Sequence, residues 1–121
     1  MKVLTVDDAL TVRTMIRNIL EPEGFDVYEA ENGVIALNAV KETTDFDIIL
    51  LDWEMPEMDG LSFLVEVREK NLVPNTKIIM LTALNKMANI LKAIDAGADE
   101  YIMKPFTPEI VLEKLHATVN G

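Results

Sequence analysis

Asp47-Ile48-Ile49-Leu50-Leu51-Asp52 is an unbroken aliphatic run closed at both ends by an acid. Short runs of this kind are the signature of a parallel strand buried on both faces. Three other stretches repeat the design. Val3-Leu4-Thr5-Val6 runs into Asp7-Asp8, Lys77-Ile78-Ile79-Met80-Leu81 into Thr82, and Glu100-Tyr101-Ile102-Met103 into Lys104. Each run therefore ends on a residue able to do chemistry. Open parallel sheets bind ligands in the crevice beyond the carboxyl ends of their strands, so these residues are expected to meet.

Working outward, strands alternate with helices five times. Strand 1 is expected over about residues 2–6 and helix 1 over about 11–21, with Val12, Met15, Ile16, Ile19 and Leu20 on its inner face. Pro22 and Gly24 end that helix. Strand 2 spans about 25–30, and helix 2 spans about 33–43 with Ile35, Ala36, Ala39 and Val40 inward. Strand 3 spans about 47–51, and a loop from Trp53 to Glu57 follows. Asp59 caps helix 3 (about 60–70), which carries Leu61, Leu64, Val65 and Val67, and Pro74-Asn75 marks a turn. Strand 4 is expected over about 77–81, helix 4 over about 85–96 before Gly97, and strand 5 over about 99–103. Thr107-Pro108-Glu109 supplies a cap, a first-turn proline and an acid for helix 5, which runs to about Val119.

This alternation predicts an α/β fold: a doubly wound, five-stranded parallel sheet with right-handed crossovers. Strand 2 is the polar one, with Asp26, Glu29 and Glu31 in or beside it, and belongs at an edge. The order 2-1-3-4-5 satisfies this and puts the switch point between strands 1 and 3, where Asp7, Asp8 and Asp52 stand. With no repeat, linker or low-complexity stretch, the expectation is one domain, 1–121.

Composition narrows the function. The 121 residues hold no cysteine, which excludes disulfides and thiolate metal sites. The longest apolar run, Ile48–Leu51, is too short to cross a bilayer, and Met1-Lys2-Val3 leads straight into a strand. A soluble, cytoplasmic protein without membrane insertion is expected. Net charge is −10. Residues 1–60 carry 14 acids and 4 bases, whereas residues 61–121 carry 7 of each. The whole excess thus lies in the first half, and direct nucleic-acid binding, which needs a basic face, is not expected.

Three carboxylates in one small volume need a counter-charge. Lys104 supplies one, and a divalent cation would supply two more. Magnesium suits oxygen-only ligands that include one or two carboxylates and a phosphate oxygen. Asp52, alone at the end of the central strand, is the best nucleophile toward a phosphoryl group. Thr82 and Lys104 would hold the transferred oxygens. His116 is a lone histidine near a helix end and is read as dipole-favoured. The six internal methionines are read as packing atoms.

Five stretches together resemble a response-regulator receiver domain of the single-domain chemotaxis type. They are Val6-Asp7-Asp8, Asp52 through Gly60, Leu81-Thr82-Ala83, Ala96 through Tyr101, and Lys104-Pro105-Phe106-Thr107. Trp53 after the acceptor and the Lys104–Thr107 ending lean toward the chemotaxis branch. The resemblance implies a flavodoxin-like (βα)5 fold in which Asp52 accepts phosphate from a phosphohistidine on a sensor histidine kinase or histidine phosphotransfer domain. It implies magnesium held by Asp8, Asp52 and the backbone carbonyl of Glu54, with Asp7 acting through a water. It further implies phosphoryl contacts from Thr82 and Lys104, a cis Lys104-Pro105 bond, and Tyr101 as the aromatic switch that turns inward as Thr82 shifts. The protein would be a phosphoacceptor that catalyses only its own phosphorylation and dephosphorylation.

Two residues depart from the chemotaxis pattern: Glu54 is an acid in place of an amide, and Leu84 is apolar in place of an acid. Both flank the path of the attacking water, so the phosphoryl lifetime is this chain's own property. The output surface is expected on helix 4, strand 5 and helix 5, with Ile90 and Ile94 four apart, Tyr101 and Met103 on one side of strand 5, and Lys86 and Lys114 at the rim. Leu91 is expected on the adjoining inward stripe. A monomer with one downstream protein target, such as a flagellar motor switch, follows. The alternatives are a receiver from another phosphorelay or a multidomain regulator, a phosphate-independent docking module, or a haloacid-dehalogenase-type phosphatase. The last wants an Asp where Glu54 stands and a longer chain.

Overall fold

Val, Ile and Leu runs build the sheet in the computed structural model, which describes residues 1–43 and 45–120. Among the described residues the strands are β1 (Lys2–Val6), β2 (Asp26–Ala30), β3 (Ile48–Leu51), β4 (Lys77–Thr82) and β5 (Glu100–Met103). The helices are α1 (Leu10–Leu20), α2 (Gly33–Glu42), α3 (Gly60–Glu69), α4 (Met87–Ala96) and α5 (Pro108–Asn120). Every strand pair is parallel and the order is β2-β1-β3-β4-β5. The expected flavodoxin-like architecture is the observed one. The expected domain span, 1–121, includes Thr44 and Gly121, which lie outside the described residues.

Two apolar layers sandwich the sheet. Alternation along each strand assigns its residues to one layer or the other. Ile49 and Leu51 pack with Val40, Phe63, Leu64 and Val67 under α2, α3 and α4. Ile48 and Leu50 pack with Ile16, Leu20, Val111 and Leu115 under α1 and α5. β3 is buried at all four positions because both faces are covered.

Helix ends follow local chemistry. The Asn32 and Asp59 side chains accept from the N–H groups of Ile35 and Ser62, capping α2 and α3. Thr107 accepts from Ile110 N–H at the start of α5. α4 starts at Met87, later than expected, and Lys86 before it gives no side-chain cap. Helix–sheet contacts left several expected core residues outside. Met15, Ile35 and Leu91 have the spacing of an inward face but are exposed, Leu91 by 60 %. Met15, Met87 and Met103 are exposed too, so half of the internal methionines are not core. The reason is geometric: a 3.6-residue period defines a wide apolar stripe, and only its centre reaches the sheet.

Candidate functional site

Backbone ladders carry three site residues beyond the strand ends. Asp7 N–H donates to the Ala30 carbonyl at 3.1 Å, Asp52 N–H to Val6 at 2.9 Å, and Lys104 N–H to Thr82 at 2.9 Å. These residues are thus fixed by the sheet itself. Asp7 follows Val3 and Thr5 in alternation, Asp52 follows Ile48 and Leu50, and Lys104 follows Ile102, so all three share the parity of the α1/α5 face. Thr82 follows Ile78 and Met80 and shares the other parity, as does Tyr101.

The expected convergence is present in the geometry. Lys104 Nζ lies 2.8 Å from Asp7 Oδ2 and 3.2 Å from Asp52 Oδ2. Asp52 Oδ1 accepts from the Trp53 N–H at 2.7 Å, and Asp7 Oδ1 accepts from the Ala9 N–H at 2.9 Å. Asp7, Asp8 and Asp52 each offer a carboxylate oxygen, and these oxygens lie within 4.8 Å of one another. Asp7 and Asp52 are buried, whereas Asp8 is exposed. The donors are all hard oxygens, a set that fits magnesium.

Charge at the site is unbalanced. Burial lifts the Asp52 carboxyl above its ordinary value, and the adjacent Asp7 charge lifts it further. Lys104 and the Thr82 hydroxyl oppose this without cancelling it. Burial pulls the Lys104 ammonium down, but its bond to Asp7 and the charges of both carboxylates outweigh that, so it stays above its usual value. Two acids thus share one cation, and the remaining negative charge favours a metal.

Glycine lets the loop after Asp52 fold tightly over α3. A Cβ at Gly60 would run into the Asp52 carbonyl and stand 2.9 Å from Trp53 Cα. Gly60 N–H instead donates to the Trp53 carbonyl at 2.8 Å. A Cβ at Gly33 would stand 2.6 Å from the Met58 carbonyl oxygen, so α2 also abuts this loop only because a glycine is there. Glu54 is exposed on the same loop. Trp53 is half-buried against the α2–α4 core. The Lys104-Pro105 bond is cis, as expected.

Tyr101 is buried, and its hydroxyl donates to the Leu84 carbonyl at 2.7 Å. Burial and the Asp52 charge both raise its pKa. Thr82, wholly buried at the end of β4, accepts from Leu84 N–H at 3.4 Å. One short loop therefore touches both residues.

The proposed output face is assembled unevenly. Ile94 and Met103 are exposed, as is Lys86, while Ile90 is half-buried against the core. Lys114 Nζ pairs with Glu100 at 3.4 Å. Sequence reading missed Met87 and misplaced Leu91, the most exposed apolar residues of α4. It also missed Arg13, which reaches the Asp7 carbonyl, and Arg68. The Arg68 guanidinium donates to Gly97, Val73, Thr76 and Asp99 at 2.9–3.0 Å, tying α3 to the strand edges opposite the site. No periodicity signals such contacts, because they join residues up to 31 positions apart.

Comparison with known proteins gives one consistent result. Residues 3–116 match the family model described as the response regulator receiver domain. The chain is 42 % identical to chemotaxis protein CheY1 of Helicobacter pylori (strain J99 / ATCC 700824), covering 99 % of this chain and 98 % of that one. It is also 42 % identical to chemotaxis protein CheY of Bacillus subtilis (strain 168), covering 98 % of each. The solved structure of Vibrio cholerae chemotaxis protein CheY4 superposes with a TM-score of 0.90 at 34 % identity, over 97 % of each chain. Relatives of this type are signalling proteins of two-component systems, not classical enzymes. With the fold, the strand-end acids and these matches in agreement, the chain belongs to the response-regulator receiver family and is CheY-like.

Proposed function

We propose that Asp52 is the phosphoacceptor of a two-component pathway, and that its phosphorylation changes the α4–β5–α5 face. The observation that carries this reading is Lys104 Nζ lying between Asp7 and Asp52 at 2.8 and 3.2 Å. In the transfer, a carboxylate oxygen of Asp52 forms a bond to phosphorus as the P–N bond of a phosphohistidine breaks. The electron pair returns to the imidazole, which takes up a proton. The donor is a sensor histidine kinase or a histidine phosphotransfer domain. Magnesium, when bound, neutralises charge on the phosphoryl oxygens. Asp8, Asp52 and the Glu54 carbonyl would hold it, with Asp7 acting through a water. Lys104 and Thr82 hold the phosphoryl oxygens.

The added phosphate carries about two negative charges, which draw Thr82 and Lys104 toward it. Thr82 and Tyr101 both contact Leu84, at 3.4 and 2.7 Å, so movement of Thr82 is felt at the tyrosine. The output face comprises Lys86, Ile90, Ile94, Tyr101, Met103 and Lys114, to which Met87 and Leu91 are now added. The chain works as a cytoplasmic monomer and one receiver unit, residues 1–121. Its target belongs to chemotaxis, with a flagellar motor switch the leading candidate.

The test is intact-mass spectrometry after treatment with acetyl phosphate and magnesium. Wild type gains one phosphoryl group, and Asp52→Asn gains none. An unmodified wild type, or an adduct on Asp52→Asn, would overturn the assignment.

A further inference from the structure

Arg13 stands on the first turn of α1 with its side chain only 12 % exposed. Its Nη1 donates to the backbone carbonyl of Asp7 at 2.7 Å, and its Nε donates to Glu29 Oε1 at 2.9 Å. Glu29 in turn accepts from Arg17 Nε at 2.9 Å through its other oxygen. The two arginines outweigh the cost of burial and hold the Glu29 carboxyl below its ordinary value. Arg13 is thus fixed from behind by an acid on β2.

The bond to the Asp7 carbonyl has a geometric consequence. The peptide joining Asp7 to Asp8 is planar. Fixing the direction of its oxygen fixes the Asp8 nitrogen and Cα as well. The other ties of this loop are Asp7 N–H to the Ala30 carbonyl, Ala9 N–H to Asp7 Oδ1 and Lys104 Nζ to Asp7 Oδ2, and none of these three holds the Asp7 carbonyl. Ala9, the residue before α1, has no side chain that could cap the helix. Asp8 is exposed, yet its carboxylate oxygen comes within 4.8 Å of oxygens of two buried acids.

From this we infer that Arg13 is a positioning residue for the cation site. It sets the Asp7–Asp8 peptide so that the Asp8 carboxylate faces Asp52, and Glu29 neutralises its charge so that it does not repel the metal. This rests on the reading of Asp7, Asp8 and Asp52 as a magnesium site.

The two roles open to an arginine here have opposite signs. A bare positive charge near a cation site weakens binding, so its removal would tighten magnesium. A positioning role predicts weaker binding once the arginine is gone, by about tenfold, the lower end for groups that orient metal ligands. Magnesium is titrated into metal-free protein and followed by Trp53 fluorescence, with metal-free thermal unfolding measured in parallel. Arg13→Met is expected to weaken magnesium by about tenfold. Arg13→Lys keeps the charge but lacks the rigid fork, and is expected to weaken it as well. The lysine variant decides the matter should the methionine variant not fold. Affinity tightened or within about twofold of wild type, with only the melting temperature lowered, would overturn the inference. Asp8→Asn is the control: loss of binding there but not in the Arg13 variants sinks the positioning role alone. A wild type blind to magnesium sinks the site itself.

Discussion

Replacing Lys104 by methionine keeps most of the side chain's apolar length and removes its charge. With an effective dielectric of about 20, the 3.2 Å contact to Asp52 is worth roughly 5 kcal/mol and the 2.8 Å contact to Asp7 roughly 6 kcal/mol. Rehydrating the ammonium returns several kcal/mol of that, so the net loss expected at neutral pH is about 3–5 kcal/mol. The loss should depend on pH. Asp52 already has a folded-state pKa above its unfolded value, through burial and Asp7. The stability tied to its protonated form is complete below the unfolded carboxylate range and lost as pH rises through the raised folded value. Without Lys104 that folded value climbs further. Acidification therefore lets Asp52 take up a proton, and the penalty shrinks. Lys104 is itself raised above its ordinary value, so in wild type its contribution is complete at neutral pH and fades only in strong alkali.

Removing Asp52 as well relieves its repulsion with Asp7, at least about 3.5 kcal/mol at an effective dielectric of about 20 for oxygens no more than 4.8 Å apart. The pair Lys104→Met and Asp52→Asn should couple by about 2 kcal/mol. Urea unfolding in EDTA, followed by far-UV circular dichroism from pH 5 to 8, measures all of this. A penalty that is the same across that range, together with additive double-mutant energies, would refute the shared counter-charge and leave Lys104 as packing.

Thr5 is fully buried, and its hydroxyl has no hydrogen-bond partner among the described residues. Thr5→Val removes a desolvated polar atom at nearly constant volume and should raise stability by about 1 kcal/mol in urea melts; a loss would mean the hydroxyl has a partner. Glu57 is held at φ 68°, in the left-handed region. Glu57→Gly should relieve about 1–2 kcal/mol of strain, less the backbone entropy of glycine, and raise the melting temperature by a few degrees; an unchanged or lower value would show that the loop can relax.

Much of this molecule is legible in its primary structure because hydrophobic runs and chemistry coincide. Ile48–Leu51 had to be a buried strand, and once four such strands are parallel, Asp7, Asp52, Thr82 and Lys104 must gather at one rim. What escaped notice was of two kinds. Met15, Ile35 and Leu91 are apolar and correctly spaced, yet the sheet is too narrow to cover the full stripe of each helix. Arg13 and Arg68 are charged, and a charged residue reads as surface until its acceptors are located. Those acceptors are mostly backbone carbonyls, which carry no sequence identity.

The alternation of β4 and β5 has a mechanical implication. Carboxylates and lysine have the parity of one side of the sheet, whereas Thr82 and Tyr101 have the parity of the other. On the proposed reading, the β-sheet is therefore a wall between the place where a signal is written and Tyr101, which passes it on. A message crosses at its rim, through a single short loop. Few atoms need move, and noise in α1 has little purchase on the reader.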